Sequence, residues 1–242
     1  AASSNDRSGS ILTRERRETV AYSAKHETPR WWCSGLPLRV MRRAPDSTLR
    51  SAINAVTAWD AHTGSPSVIV AVIDTGVRLN HPDLSGKLLP GYDFVSDSRI
   101  SNDSDGVDED PSDPGDFLTQ AEIDAGVTGD PTFWDGCEAS DSSWHGTQVS
   151  GIVAASTQNA TGMAGTGRHV RVLPLRALGK CFGYTSDIVN AMRWAAGLTV
   201  AGVPVNPTPA KVLNLSLGSS GSCSISEANA VAAVNAVGAV VV

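Results

Sequence analysis

Aromatic residues (5%), cysteines (four) and long apolar runs are all scarce in this 242-residue sequence, and each scarcity narrows its class. No apolar run reaches the ~18–20 residues needed to cross a bilayer, so no membrane span is expected. The polar start, Ala1-Ala-Ser-Ser-Asn-Asp6, is not a signal peptide; a signal was either removed or never present. Cys33, Cys137, Cys181 and Cys223 form no CxxC pair, and no histidine sits at zinc-ligand spacing from them, which argues against structural zinc. Four scattered cysteines fit either disulfides in an exported protein or buried thiols in a cytosolic one. Bases are nearly missing from Asp93 to Asp141, where fifteen acids face Arg99 alone. A body this acidic is a poor partner for nucleic acid.

The net charge of −6 is unevenly spread. Residues 1–50 carry ten Lys/Arg against five Asp/Glu, and the remainder is strongly acidic. Residues 1–52 also lack period: Pro29, Pro37 and Pro45 interrupt Trp31-Trp32-Cys33 and Arg42-Arg43. They read as an irregular appendage, and regular pattern begins at Ile53. A short amphipathic helix is expected over Ile53–His62, closed by Gly64. Val68–Ile73 is six apolar residues, five of them β-branched, as in a strand buried on both faces. A polar insertion with no clear element follows at about 97–141. A helix is expected over His145–Ala155, a strand over Val170–Leu175, and a helix from Ser186 or Asp187 to Ala196. Another strand is expected over Val212–Leu217. Ser224-Ile-Ser-Glu227 is a capping box opening a helix that ends at Gly238, and Ala239–Val242 starts one more strand. Alternating strands and helices predict an α/β fold, an open and mostly parallel sheet with helices on both faces. Ligands bind such sheets beyond the carboxyl ends of the strands, where Asp74 and Ser216-Leu217-Gly218 fall.

Asp74 directly follows its apolar run, so its carboxylate is partly desolvated and needs a strong partner. By itself it reads equally well as a cap for Thr75-Gly76. His145, alone, reads as a helix-terminal residue. Gly146 inside a helix costs about 1 kcal/mol relative to alanine, which suits a close approach by backbone or substrate. An aspartate accepting from Nδ1–H of His145 would fix the tautomer and leave Nε2 as a base.

Val70-Ala-Val-Ile-Asp-Thr-Gly76 with His81-Pro-Asp-Leu84 resembles the aspartate motif of the subtilisin-like serine proteases, of the extracellular bacterial type. His145-Gly-Thr-Gln-Val-Ser-Gly151 resembles their histidine motif, and Val212-Leu-Asn-Leu-Ser-Leu-Gly218 the strand lining their substrate cleft. Aspartate before histidine is the subtilisin order, a worked example of triad order. The resemblance covers about Ile53–Val242. It implies a secreted serine endopeptidase with protein or peptide substrates, in which Asp74 orients His145 and His145 serves as general base and then acid. It implies that Leu217 and Gly218 flank the first specificity pocket and that Ser216 offers backbone groups to an extended substrate. Leu178-Gly-Lys-Cys-Phe-Gly183 resembles the opposite wall, placing Leu178 and Gly183 at the substrate.

The sequence departs from the family in several places. The family's oxyanion asparagine and its Gly-Thr-Ser nucleophile motif do not occur in 1–242, so the polypeptide alone is expected to be inactive. The stretch between Asp74 and His145 is long, and within it Asn102–Asp116 repeats oxygen-bearing residues around Gly106. Calcium takes six to eight oxygens in such a loop, and the family often binds it. Asp103, Asp105, Asp108, Asp110 and Asp113 are the expected ligands, the alternative being a solvated acidic loop. The resemblance also suggests a Cys137–Cys181 bridge near the active face and a partner for Cys223 beyond Val242, with Cys33 unassigned. Residues 1–52 read as a remnant of the chain's own propeptide or as anomalous sequence. Two other functions compete: a non-catalytic binder of extended peptides on the same fold, and a calcium-binding extracellular module.

Overall fold

The computed structural model describes residue 53, residues 55–219 and 221–242, and the strand Thr19–Ala21. The rest of the expected appendage, including Cys33, lies outside the described residues. In chain order the elements are β1 (Thr19–Ala21), α1 (Ala55–Ala61), β2 (Ile69–Asp74) and β3 (Tyr92–Asp93). Then come α2 (Ser98–Ser101), α3 (Gln120–Ala125), α4 (His145–Ala154), β4 (Arg171–Arg176) and β5 (Phe182–Tyr184). The order closes with α5 (Thr185–Ala195), β6 (Val212–Asn214), α6 (Ile225–Ala236) and β7 (Val240–Val241).

The apolar run of β2 is the centre of a five-stranded sheet ordered β3-β4-β2-β6-β7, with every pairing parallel. Alternation sorts its side chains between two cores. Ile69, Ala71 and Ile73 pack with Leu173 and Leu175 of β4 against Ile188, Ala191 and Met192 of α5 and Ala230 and Val234 of α6. Val70 and Val72 pack with Val172 against Val149 and Ala154 of α4. Both faces of β2 are therefore dry, and its β-branched composition is what a two-sided burial selects. The chain has the expected α/β architecture, with helices on both faces of an open parallel sheet.

The insertion does carry elements, contrary to expectation. Asp97 caps α2 by accepting from Arg99 N–H, and Thr119 with Glu122 closes a capping box on α3. Its short helices lack the apolar period that marks longer ones, so only the Thr-x-x-Glu spacing signalled them. The insertion also has a small core of its own: Val95, Ile100, Leu118 and Trp134 pack with Phe182 and Tyr184 of β5. β6 is shorter than the expected Val212–Leu217, although Leu215 N–H still donates to the Val242 carbonyl at 2.9 Å.

Candidate active site

Asp74 ends β2, and its residue is only 1% exposed. The strand end is fixed by Ala177 and Leu178, whose N–H groups donate to the Asp74 carbonyl at 2.9 and 3.2 Å. One carboxylate oxygen accepts from Thr75 N–H at 2.8 Å. Nδ1 of His145 lies 2.8 Å from Oδ1 and 2.9 Å from Oδ2. A carboxylate acceptor places the proton on Nδ1 and makes Nε2 the basic nitrogen. The hydrogen bond to Asp74 raises the His145 pKa above its ordinary value; desolvation opposes this, and the charges of Asp74 and Asp116 add to it.

His145 begins α4, so its position depends on how that helix end is held. Helix starts leave unpaired N–H groups. Here His145 N–H donates to Ser143 Oγ at 3.2 Å, and Gly146 N–H donates to Thr75 Oγ1 at 3.1 Å. A side chain on Gly146 would collide with the Gly76 carbonyl and crowd Cβ of Asp74, so glycine is required by the approach of the two motifs. That is the close backbone approach expected from the sequence.

The walls expected to bind substrate stand on either side of β2. Leu178 and Gly183 follow β4, and Ser216, Leu217 and Gly218 follow β6; both strands neighbour β2. Gly183 lies in β5, whose edge pairs antiparallel with β1 in the register Thr19↔Tyr184, Val20↔Gly183, Ala21↔Phe182. Ser216 is exposed, whereas Leu178 and Leu217 are buried. A cavity of about 640 Å³ is lined by Val77, Leu79, Asp113, Trp144 and the Arg78 side chain that lies over the Trp144 ring.

The five aspartates expected to hold calcium do not converge, and no group of three or more potential ligands gathers among the described residues. Asp103 pairs with Arg176, and Asp105 is exposed. Asp108 accepts from Asp110 N–H, and Asp110 from Ser112 N–H. Asp113 accepts from Thr75 Oγ1–H and Gly115 N–H, each at 2.8 Å. These carboxylates are turned to separate partners, so this set does not fit a calcium cage. Arg176, which nothing in the sequence marks, takes Asp103 out of the set. Its guanidinium, 1% exposed, reaches Asp93 at 2.5 Å, Asp103 and the Ser101 carbonyl. Burial pushes the Asp93 carboxyl up to about 7, against the pull of Arg176.

The structure bonds Cys137 to Cys181, with Cα atoms 5.9 Å apart, tying the insertion to the wall before β5. Lys180 and Glu122 add an ion pair at 2.6 Å across the same junction. Cys223 is also disulfide-bonded, against the expectation of a partner beyond Val242.

A carboxylate holding a histidine at the carboxyl end of a parallel sheet defines an orienter–base pair on an α/β fold. The profile of the Subtilase family matches residues 65–242, and the chain belongs to that family. It is 47% identical over 184 residues to an extracellular protease of Xanthomonas campestris pv. campestris, covering 76% of this chain and 30% of that protein. It is 44% identical over 172 residues to an extracellular basic protease of Dichelobacter nodosus, covering 71% and 27%. The chain thus spans under a third of these relatives. A solved protease structure from Pseudoalteromonas arctica superposes with a TM-score of 0.71 at 47% identity, covering 79% of this chain and 53% of that one. No described helix is long and apolar enough to cross a membrane.

Proposed function

We propose that this chain supplies the acid–base part of a secreted serine endopeptidase. The observation that carries the reading is the Asp74–His145 contact at 2.8 Å, formed by two family motifs across 71 residues of chain. Asp74 orients His145 and stabilises the imidazolium; Nε2 takes the proton of a serine hydroxyl and later gives it to the leaving amine. The serine that His145 would activate is not assigned to any residue of 1–242. Secretion is supported by relatives named as extracellular proteases and by the disulfides.

The substrate would be a protein or peptide bound extended between the wall at Leu178–Gly183 and Ser216–Gly218. The antiparallel pairing of Thr19–Ala21 with the edge carrying Gly183 supports this reading. The test is peptide hydrolysis by the whole protein and by its His145→Ala variant. A fall of several orders of magnitude in kcat upholds the reading, and an unchanged kcat refutes it.

A further inference from the structure

We propose that the Asp113-Pro-Gly-Asp116 turn of the acidic insertion positions the Asp74–His145 pair, with Asp113 and Asp116 bracing the two sides of the helix end that carries His145. The two aspartates act through other residues and touch no reacting atom, so they are positioning residues.

The Asp113 brace begins at Oδ2, which accepts from Thr75 Oγ1–H at 2.8 Å. The same Thr75 oxygen accepts from Gly146 N–H at 3.1 Å. Thr75 follows Asp74 and Gly146 follows His145, so one hydroxyl ties the two motifs together one residue from each functional group. A hydroxyl has one proton and can donate in one direction only. Committing that proton to Asp113 leaves its lone pairs aimed at Gly146. Backbone bonds lock the brace: Val77 N–H donates to the Pro111 carbonyl at 3.0 Å, and Asp113 N–H to the Val77 carbonyl at 3.1 Å. Thr75 is 1% exposed and Asp113 7%, so water does not compete for these bonds.

The Asp116 brace runs through Ser143. Asp116 accepts from Ser143 N–H at 2.6 Å and from Ser143 Oγ–H at 2.7 Å. With its proton so committed, Ser143 Oγ accepts from His145 N–H at 3.2 Å. Two first-turn N–H groups of α4 are therefore satisfied by hydroxyls that the insertion orients. Gly115 makes the turn compact, donating back to Asp113 Oδ1 at 2.8 Å.

This inference rests on reading Asp74 and His145 as an acid–base pair, but its test does not require proteolysis. The readout is the downfield NMR resonance of the His145 Nδ1 proton shared with Asp74, followed in the full chain. Thr75→Val keeps the side-chain volume and deletes the hydroxyl; Thr75→Ser keeps the hydroxyl. The resonance is expected to be lost or exchange-broadened in Thr75→Val and Asp113→Ala, and retained in Thr75→Ser. The Thr75→Val/Asp113→Ala double variant should lose no more than either single, because both cut one link. Circular dichroism checks that each variant is folded. A resonance at its wild-type position in Thr75→Val would overturn the brace, as would equal loss in Thr75→Ser, which would assign the effect to packing. A missing peptidase activity alongside these expected losses would sink the proposed function and leave the brace standing.

Discussion

The Asp74 carboxylate faces Nδ1 of His145 with both oxygens, at 2.8 and 2.9 Å, although 71 residues separate the two. β2 delivers the acid to the sheet's carboxyl end, and α4 delivers the base from the neighbouring face.

Replacing Asp74 with asparagine should preserve the shape of the site and remove its function. An amide that donates to Nδ1 selects the wrong tautomer, so Nε2 carries the proton that a base must accept. The kcat of the whole protein should fall by on the order of 10⁴, as in other triads. Peptide hydrolysis measures this, and a fall of less than tenfold would contradict it.

The pH profile follows from the hydrogen bond to Asp74, which raises the His145 pKa. A base must be neutral, so kcat/KM should rise with pH along a limb lying above the ordinary histidine value of about 6.5. The stability contribution has the opposite sense. A folded-state pKa raised above the unfolded value favours the fold below the unfolded pKa, and that contribution is lost as pH climbs through the folded pKa. Titration of His145 by NMR locates the value; a midpoint below about 6.5 would contradict the assignment.

Arg176 should be indispensable to the insertion. Arg176→Met leaves the Asp93 carboxylate buried without its cation, a loss of about 3–5 kcal/mol for a broken buried pair. Arg176→Lys should rescue little, because one ammonium cannot reproduce a fork that reaches Asp93, Asp103 and the Ser101 carbonyl. Urea unfolding tests both.

Removing the Cys137–Cys181 bridge by paired serines should cost about 2–4 kcal/mol, since it closes a loop across 44 residues. Amide exchange should rise first at Phe182–Tyr184, the strand beside the bridge. Exchange that rises uniformly along the chain would argue that the bridge does not hold that wall.

The central strand, the order of helices and the Asp74 and His145 motifs were legible because each rests on local pattern: a β-branched run, a helical period, a carboxylate at a strand end. Arg176 was not legible, because nothing in Val-Leu-Pro-Leu-Arg marks a strand residue as the buried partner of carboxylates more than seventy positions away. The placement of the five aspartates was not legible either. Regular spacing of Asp103 to Asp113 along the chain does not make their carboxylates converge: Arg176 and Thr75 hold Asp103 and Asp113, while Asp108 and Asp110 bond within their own turns. Thr75 and Asp116 were present in quoted motifs, but their roles depend on which hydroxyl proton points where, which only the folded arrangement specifies.

The most direct test of the acid–base assignment is labelling of the whole protein with a fluorophosphonate probe, comparing the native chain with His145→Ala. A serine activated by His145 should react rapidly in the native protein and lose that reactivity by orders of magnitude in the variant. Equal labelling of the two, or none in an otherwise folded native protein, would contradict the assignment of Asp74 and His145 to a serine endopeptidase.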